Sequence, residues 1–327
     1  MFFAAILLTV LGAALAVKAA AVVREQNRRP RALCLMYHRL AARSDCEKIQ
    51  GVNRNYTVAV EDLEQQISYL KQQGYRFLTA EEARRLASGD LDLDQPAVLV
   101  TFDDGCVSVF EDALPVFEKH QVPATVFVTT DPEAYVFGYG QRRMSDEELR
   151  AVEAAGIQCE SHGVTHRPLV QLSDEEVRKE LRGSKAELEA ILGRAVKFIS
   201  APGNWFDARI SRLAEEAGYE AMWISEPGSM QPGSNVFGLT RLNVDGTLSI
   251  EQFASLLTPW GVAQRALVYK GKMLPKKLAG PKLWLALRSR LLPLLPGGYV
   301  SFARWRMILT VPVIVVALVV LFRTLNG

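Results

Sequence analysis

The apolar run 96–102 (PAVLVTF) ends in two adjacent carboxylates, Asp103 and Asp104, followed by Gly105. Neighbouring carboxylates are not both ionised cheaply without a cation, so this position points to a metal ion or a raised pKa. Taken alone, Asp-Asp-Gly is equally an ordinary turn. A second cluster, Glu160-Ser161-His162-Gly163-Val164-Thr165-His166, holds two of the chain's four histidines, four residues apart. That spacing lets two imidazoles share a helical face or bend around one ion, and neutral imidazole is the commonest zinc ligand; surface or capping histidines can share it. Together the clusters supply two histidines and an aspartate with coordination positions left for water, as a catalytic metal requires, and the second aspartate is free to act as a base. The same ligand set would suit a non-haem iron oxygenase, a chemistry that nothing else in the chain favours.

Such residues converge only if the chain between them folds back repeatedly. From residue 32 to about 250, short β-rich runs at 32–37, 75–78, 97–102, 124–129, 157–161, 196–200, 221–225 and 239–244 alternate with amphipathic helical patterns. Thr79-x-x-Glu82, Ser145-x-x-Glu148 and Ser173-x-x-Glu176 are capping boxes that start helices. Gly74, Gly89, Gly156, Gly193 and Gly218 fall where helix C-caps are expected. Repeated strand and helix units predict an α/β domain with a mainly parallel sheet, open or closed into a barrel. In either form chemistry collects at the C-terminal ends of the strands. No internal repeat and no Gly-rich phosphate loop is evident.

The composition, 49% apolar and 23% charged over 327 residues, excludes disorder and fibrous classes. Eleven of the 38 basic residues and none of the 36 acidic ones lie in 252–327, so an acidic body precedes a basic tail. Four cysteines without CxxC spacing suggest neither a zinc knuckle nor a disulfide framework. Residues 2–17 are uncharged, and with 19–23 they approach the length of a membrane span; 1–23 reads as an anchor or a signal peptide. Residues 24–31 form a basic linker, 32–255 the catalytic domain, and 256–305 a basic, Leu- and Trp-rich juxtamembrane segment suited to anionic lipid. A transmembrane helix is expected at 306–323. Arg24, Arg28, Arg29 and Arg31 after the first span and the basic stretch before the second favour a body facing the cytoplasm.

The pair TFDDG and SHGVTH resembles the polysaccharide deacetylases of carbohydrate esterase family four, which share the NodB homology domain. The opening LCLMYHRL and the stretch YTVAVEDLEQQISYLKQQGYRFLTAEE are similar to the subgroup acting on poly-N-acetylglucosamine. The resemblance runs from about Leu33 to Val244. It implies a distorted (β/α) barrel of the NodB type, here flanked by the two membrane helices, and metal-dependent removal of N-acetyl groups from amino sugars. Position by position, Asp103 matches the general base, and Asp104, His162 and His166 match the metal ligands, for a divalent ion with Zn²⁺ preferred. The third motif appears as Ser200-Ala201-Pro202-Gly203-Asn204, without its arginine and aromatic; the Gly203 backbone N–H keeps the place that binds the oxyanion. The late Leu-x-His motif of the general acid is absent, with Leu239-Thr240-Arg241 and Leu242-Asn243-Val244 in that region.

His38, directly after the first strand, resembles an early Tyr-His of the subgroup, and is expected to protonate the departing amine; a strand-end histidine bonded to backbone is the alternative. The expected partners are an N-acetylated amino-sugar glycan or lipid-linked sugar and anionic membrane lipid, with no nucleic acid. Two rival readings remain open: a deacetylase-like module that only binds glycan, and a deformylase of a lipid-linked sugar.

Overall fold

Nearly continuous apolar runs, several of them rich in β-branched residues, make strands that are buried on both faces, the pattern of a covered parallel sheet. The strands are β1 (Ala32–Tyr37), β2 (Arg39–Ala41), β3 (Thr57–Ala59), β4 (Arg76–Phe77), β5 (Ala97–Phe102), β6 (Ala124–Val128), β7 (Ile157–Ser161), β8 (Phe198–Ser200), β9 (Ala221–Trp223) and β10 (Leu242–Asn243). This computed structural model describes residues 31–133, 141–204, 207–271 and 273. The expected anchor at 1–23, most of the linker at 24–31, the greater part of the basic segment and the span at 306–323 lie outside the described residues. Among the described residues no helix is long and apolar enough to cross a membrane.

Eight strands form one parallel sheet in the order β10-β1-β5-β6-β7-β8-β9, with β4 added on β5. The sheet curls until its ends approach: residue 239, just before β10, bridges Trp223 of β9, with Ile224 N–H donating to the Leu239 carbonyl at 2.8 Å. The expected distorted barrel takes the form of a curled half-barrel, whose ends meet only through this bridge at the β9–β10 seam. The strand pair β2–β3, absent from the sequence expectation, is a separate two-stranded parallel sheet. Its three-residue strands are too short to show a period in the sequence.

Side chains of alternate parity divide between two apolar clusters. Leu33, Leu35, Val98, Val100, Val126 and Val128 pack outward, against the helices. Ala32, Cys34, Ala97, Leu99, Phe127, Phe198 and Trp223 fill the interior, where the Trp223 ring meets Phe127 at 5.6 Å and Phe198 at 5.5 Å. Interior aromatics plug the barrel below its C-terminal rim and leave that rim as the open end.

The longer helices are α1 (Val60–Gln72), α2 (Ala80–Ser88), α3 (Leu114–His120), α4 (Asp146–Ala154), α5 (Asp174–Leu192), α6 (Ala208–Glu216) and α7 (Ile250–Leu257). All three expected capping boxes form, at Thr79, Ser145 and Ser173, each satisfying two otherwise orphaned backbone N–H groups. The first compact unit continues to Arg265 rather than ending at 255, because residues 259–271 are helical and Val262 and Ala263 are fully buried.

Candidate metal centre

The turn after β5 brings the two aspartates to different faces. Asp103 N–H still donates to the Tyr37 carbonyl at 2.9 Å, continuing the ladder with β1. Asp104 then takes the left-handed conformation at φ 76°, followed by Gly105 at φ 79°. A side chain at Gly105 would place its Cβ 2.9 Å from Val128 Cγ1, so close packing as well as φ requires glycine there.

That reversal aims Asp104 at the loop after β7. Its Oδ1 lies 3.3 Å from His166 Nε2 and 3.7 Å from His162 Nε2. The three candidate ligand atoms all lie within 4.8 Å of one another, close enough to surround one ion. Both Asp104 oxygens are buried and neither has a hydrogen-bond partner. A buried carboxylate left without donors is costly, and a cation between it and the imidazoles removes that cost. The residues therefore fit a divalent metal.

The histidines are prepared for that role. His162 Nδ1 sits 2.8 Å from the Ser200 carbonyl, which only accepts, so the proton is on Nδ1 and the Nε2 lone pair faces the centre. Burial pushes the His162 pKa down to about 4, against the opposing charges of Asp103 and Asp104, so the ring is neutral at pH 7. His166 is the solvent-side member, 26% exposed against 3% for His162, and holds φ 54°. Asp104 itself titrates below the ordinary carboxylate value: burial works to raise it and is outweighed by the His166 contact and the nearby His38 and His162.

Asp103 is held apart from this set by Arg241. The guanidinium donates from Nη1 to Oδ1 at 2.6 Å and from Nη2 to Oδ2 at 2.8 Å, and Nη2 also donates to Ser200 Oγ at 2.6 Å. Arg241 is completely buried and lies over the Phe127 ring, 5.5 Å from its centroid. Burial would raise the Asp103 pKa, and the charge and hydrogen bonds of Arg241 more than reverse this, so Asp103 stays ionised as a base must.

Arg241 is the site residue that sequence reasoning missed. Ser200 is too short to reach Asp103 on its own account, yet its small side chain leaves room for a guanidinium entering from the segment before β10. The available signal was an arginine two positions after Leu239, on the same side of the chain as that interior residue.

His38 and Gly203 lie on the same rim. His38 follows β1, its ring edge-on to Tyr56 at 4.6 Å. Burial lowers its pKa, with Asp104 and Asp103 acting in the opposite sense, which places it within electrostatic reach of both. Gly203 lies in the tight turn Pro202–Asn204 after β8, exposed and at φ 79°; a Cβ there would lie 2.9 Å from Pro168 Cγ. The structure thus brings Asp103, Asp104, His162 and His166 into one cluster, with His38 and Gly203 at the ends of strands that border it.

The fold and site together define a curled parallel α/β half-barrel that carries an Asp-His-His cluster and an arginine-clamped aspartate at its open end. Residues 90–222 match the family model described as polysaccharide deacetylase, so that segment of the chain is similar to this family. YxkH of Bacillus subtilis, named for the same family, is 25% identical over 223 residues, covering 68% of this chain and 75% of that protein. The poly-beta-1,6-N-acetyl-D-glucosamine N-deacetylase of Staphylococcus aureus is 24% identical over 218 residues, 63% of this chain and 73% of that one. The Streptococcus pyogenes deacetylase PplD, solved in complex with acetate, superposes with a TM-score of 0.62 at 24% identity, covering 69% of this chain and 98% of that structure.

Proposed function

We propose that this protein is a membrane-bound, divalent-metal-dependent carbohydrate N-deacetylase that hydrolyses the acetamide of an N-acetylated amino sugar. The observation that carries the proposal is the division of labour between adjacent aspartates: Asp104, buried and without donors, faces two histidines, while Asp103 is held ionised by Arg241. A bound divalent ion, Zn²⁺ by preference, would polarise the acetamide carbonyl and acidify a water molecule. Asp104, His162 and His166 would hold that ion. Asp103 removes a proton from the attacking water, its carboxylate kept in one orientation by the two guanidinium bonds. The Gly203 backbone N–H supports the developing oxyanion. His38 returns a proton to the departing amine, giving acetate and a free amino sugar.

The substrate class follows from the Staphylococcus aureus relative, named for poly-N-acetylglucosamine, and a lipid-linked acetamido sugar is the second candidate. A formyl in place of acetyl, or glycan binding without turnover, are rival readings. The presence of an ionised base beside a complete ligand set favours hydrolysis, since binding alone needs no base. The apolar segments 2–23 and 306–323 and the basic stretch between 256 and 305 suggest attachment to an anionic membrane, with the body on the cytoplasmic face.

The deciding experiment incubates metal-loaded, detergent-solubilised protein with N-acetylglucosamine oligomers and with polyprenyl-linked acetamido and formamido sugars, measuring acetate and formate. Acetate release abolished by Asp103→Asn supports the proposal; formate alone moves it to deformylation, and tight glycan binding without either product makes the chain a binding module. The four native cysteines are buried, so a cysteine introduced at exposed Asp90 tests orientation with a membrane-impermeant thiol reagent in intact cells. Strong labelling from outside would overturn the cytoplasmic placement.

A further inference from the structure

The loop that carries both histidine ligands does not hold its own shape. Gly163 has φ 81° and His166 φ 54°, a conformation that costs a non-glycine residue on the order of 1 kcal/mol or more and persists only where surroundings impose it. The surroundings come from one face of α5. Glu180, 6% exposed, accepts from Val164 N–H at 2.8 Å and Thr165 N–H at 2.9 Å through Oε2, and from the Thr165 hydroxyl through Oε1. One turn further, fully buried Ser184 pairs with Ser161 Oγ at 2.8 Å, and Ser161 Oγ accepts from Gly163 N–H at 3.2 Å. Every backbone N–H between the two ligands is thus satisfied, directly or through one hydroxyl, from Glu180 and Ser184.

Glu180 is an unusual choice for a helix residue so deeply buried. Among the described residues no lysine or arginine lies within ion-pair distance of it. A buried carboxylate without a counter-ion is retained at a cost, reduced here by three donors aimed at it. The charges in the site suggest what offsets the rest. Asp103 is paired with Arg241, so a divalent ion at the cluster would meet one ligand charge, from Asp104, and Glu180, within electrostatic reach of His166, adds a second negative charge nearby.

We propose that Glu180 is the positioning residue of the metal centre: through Val164 and Thr165 it fixes the backbone that presents His162 and His166, and supplies the second negative charge balancing a divalent ion. The inference rests on the metal-site reading above and concerns metal affinity rather than turnover. Glu180→Ala removes both the acceptors and the charge. Glu180→Gln keeps an acceptor oxygen for the two N–H groups and removes only the charge. Thr165→Val removes one donor and leaves the ligands and the carboxylate.

The test measures Zn²⁺ affinity of the apo full-length protein in detergent, by competition with a chromophoric chelator, alongside thermal unfolding of each apo form. Outer-shell partners of metal ligands typically contribute 10- to 100-fold in affinity. The expected order is therefore a loss of about 10- to 100-fold for Glu180→Ala, with a smaller loss for Glu180→Gln and Thr165→Val. Apo melting temperatures should not follow the same order, because a generally structural role would move stability and affinity together. Wild-type affinity in folded Glu180→Ala, or affinity that falls only in step with apo stability across the three variants, overturns the proposal. His166→Ala is the control that separates the two readings. If it binds Zn²⁺ as tightly as wild type, the metal site itself is wrong; if it loses the metal while Glu180→Ala keeps it, only the role of Glu180 falls.

Discussion

Replacing Arg241 with alanine should damage stability and catalysis for separable reasons. The wild-type pair is buried, with two guanidinium bonds at 2.6 and 2.8 Å and, among the described residues, no other lysine or arginine bonded to Asp103. Removing one partner of such a pair leaves an uncompensated buried charge and costs about 3–5 kcal/mol. For a domain of this size each kcal/mol corresponds to roughly 2–4 °C, so the melting temperature should fall by roughly 6–20 °C. The pH dependence follows from the direction of the shift. Asp103 titrates below its ordinary value in the folded protein, so the pair contributes stability above the unfolded carboxylate pKa and loses it as pH falls through the folded value. Without Arg241 the burial that raises its pKa loses its main opponent, and the acid limb of kcat/KM for acetate release should move to higher pH. At neutral pH the rate should drop by much of the ~10²–10⁴ that a positioned base contributes. Because Arg241 Nη2 lies 2.6 Å from Ser200 Oγ, an arginine at 200 in the same variant has the vacated volume to fold into. Ser200→Arg with Arg241→Ala should recover part of the rate and return the acid limb. An Arg241→Ala protein with an unchanged acid limb and a rate within twofold of wild type would refute the assignment of Asp103 as an arginine-held base.

Asp103→Asn should keep one equivalent of metal by elemental analysis while losing turnover, whereas His162→Ala and His166→Ala should lose both; metal loss in Asp103→Asn would place that residue among the ligands. His38→Ala should lower kcat by ~10²-fold or more and alter the alkaline limb of the profile, and full activity with an unchanged profile would reduce His38 to a packing residue. Gly203→Ala should slow acetate release and destabilise the domain by at least ~1 kcal/mol in chemical denaturation, because its φ is 79° and the new Cβ would meet Pro168 Cγ at 2.9 Å. A neutral outcome in both readouts would leave the oxyanion role of this turn without support.

The sequence reveals most about elements with strong local grammar. Strands 97–102 and 157–161 are read to the residue, since continuous β-rich runs ending in polar residues have one simple interpretation, and the capping boxes at Thr79, Ser145 and Ser173 fix helix starts through bonds three residues apart. Legibility fails where partners are distant. Arg241 meets Asp103 across 138 positions of sequence, and Glu180 reaches Val164 from a different element, so neither has a local pattern to betray it. Composition turns basic and free of acidic residues after 251, yet the apolar face of the helix that follows 258 buries Val262 and Ala263. Composition registers solvent and charge, and packing registers only which face a residue takes.

The displaced arginine also bears on how such a site tolerates change. A guanidinium beside the Asp103 carboxylate keeps it ionised whichever backbone position supplies it. At the barrel rim β5, β8 and the segment before β10 converge, so side chains from residues 200 and 241 arrive within 2.6 Å of each other. A long side chain from either strand can fill that volume if the other is short, which makes Ser200 the counterpart of Arg241 rather than a lost residue. The ligand histidines allow no such exchange. His162 must present Nε2 while Nδ1 bonds the Ser200 carbonyl, which ties its backbone, its ring orientation and its tautomer to one place directly after β7. A residue whose task is charge can therefore arrive from more than one backbone position, and a residue whose task is a directed lone pair cannot.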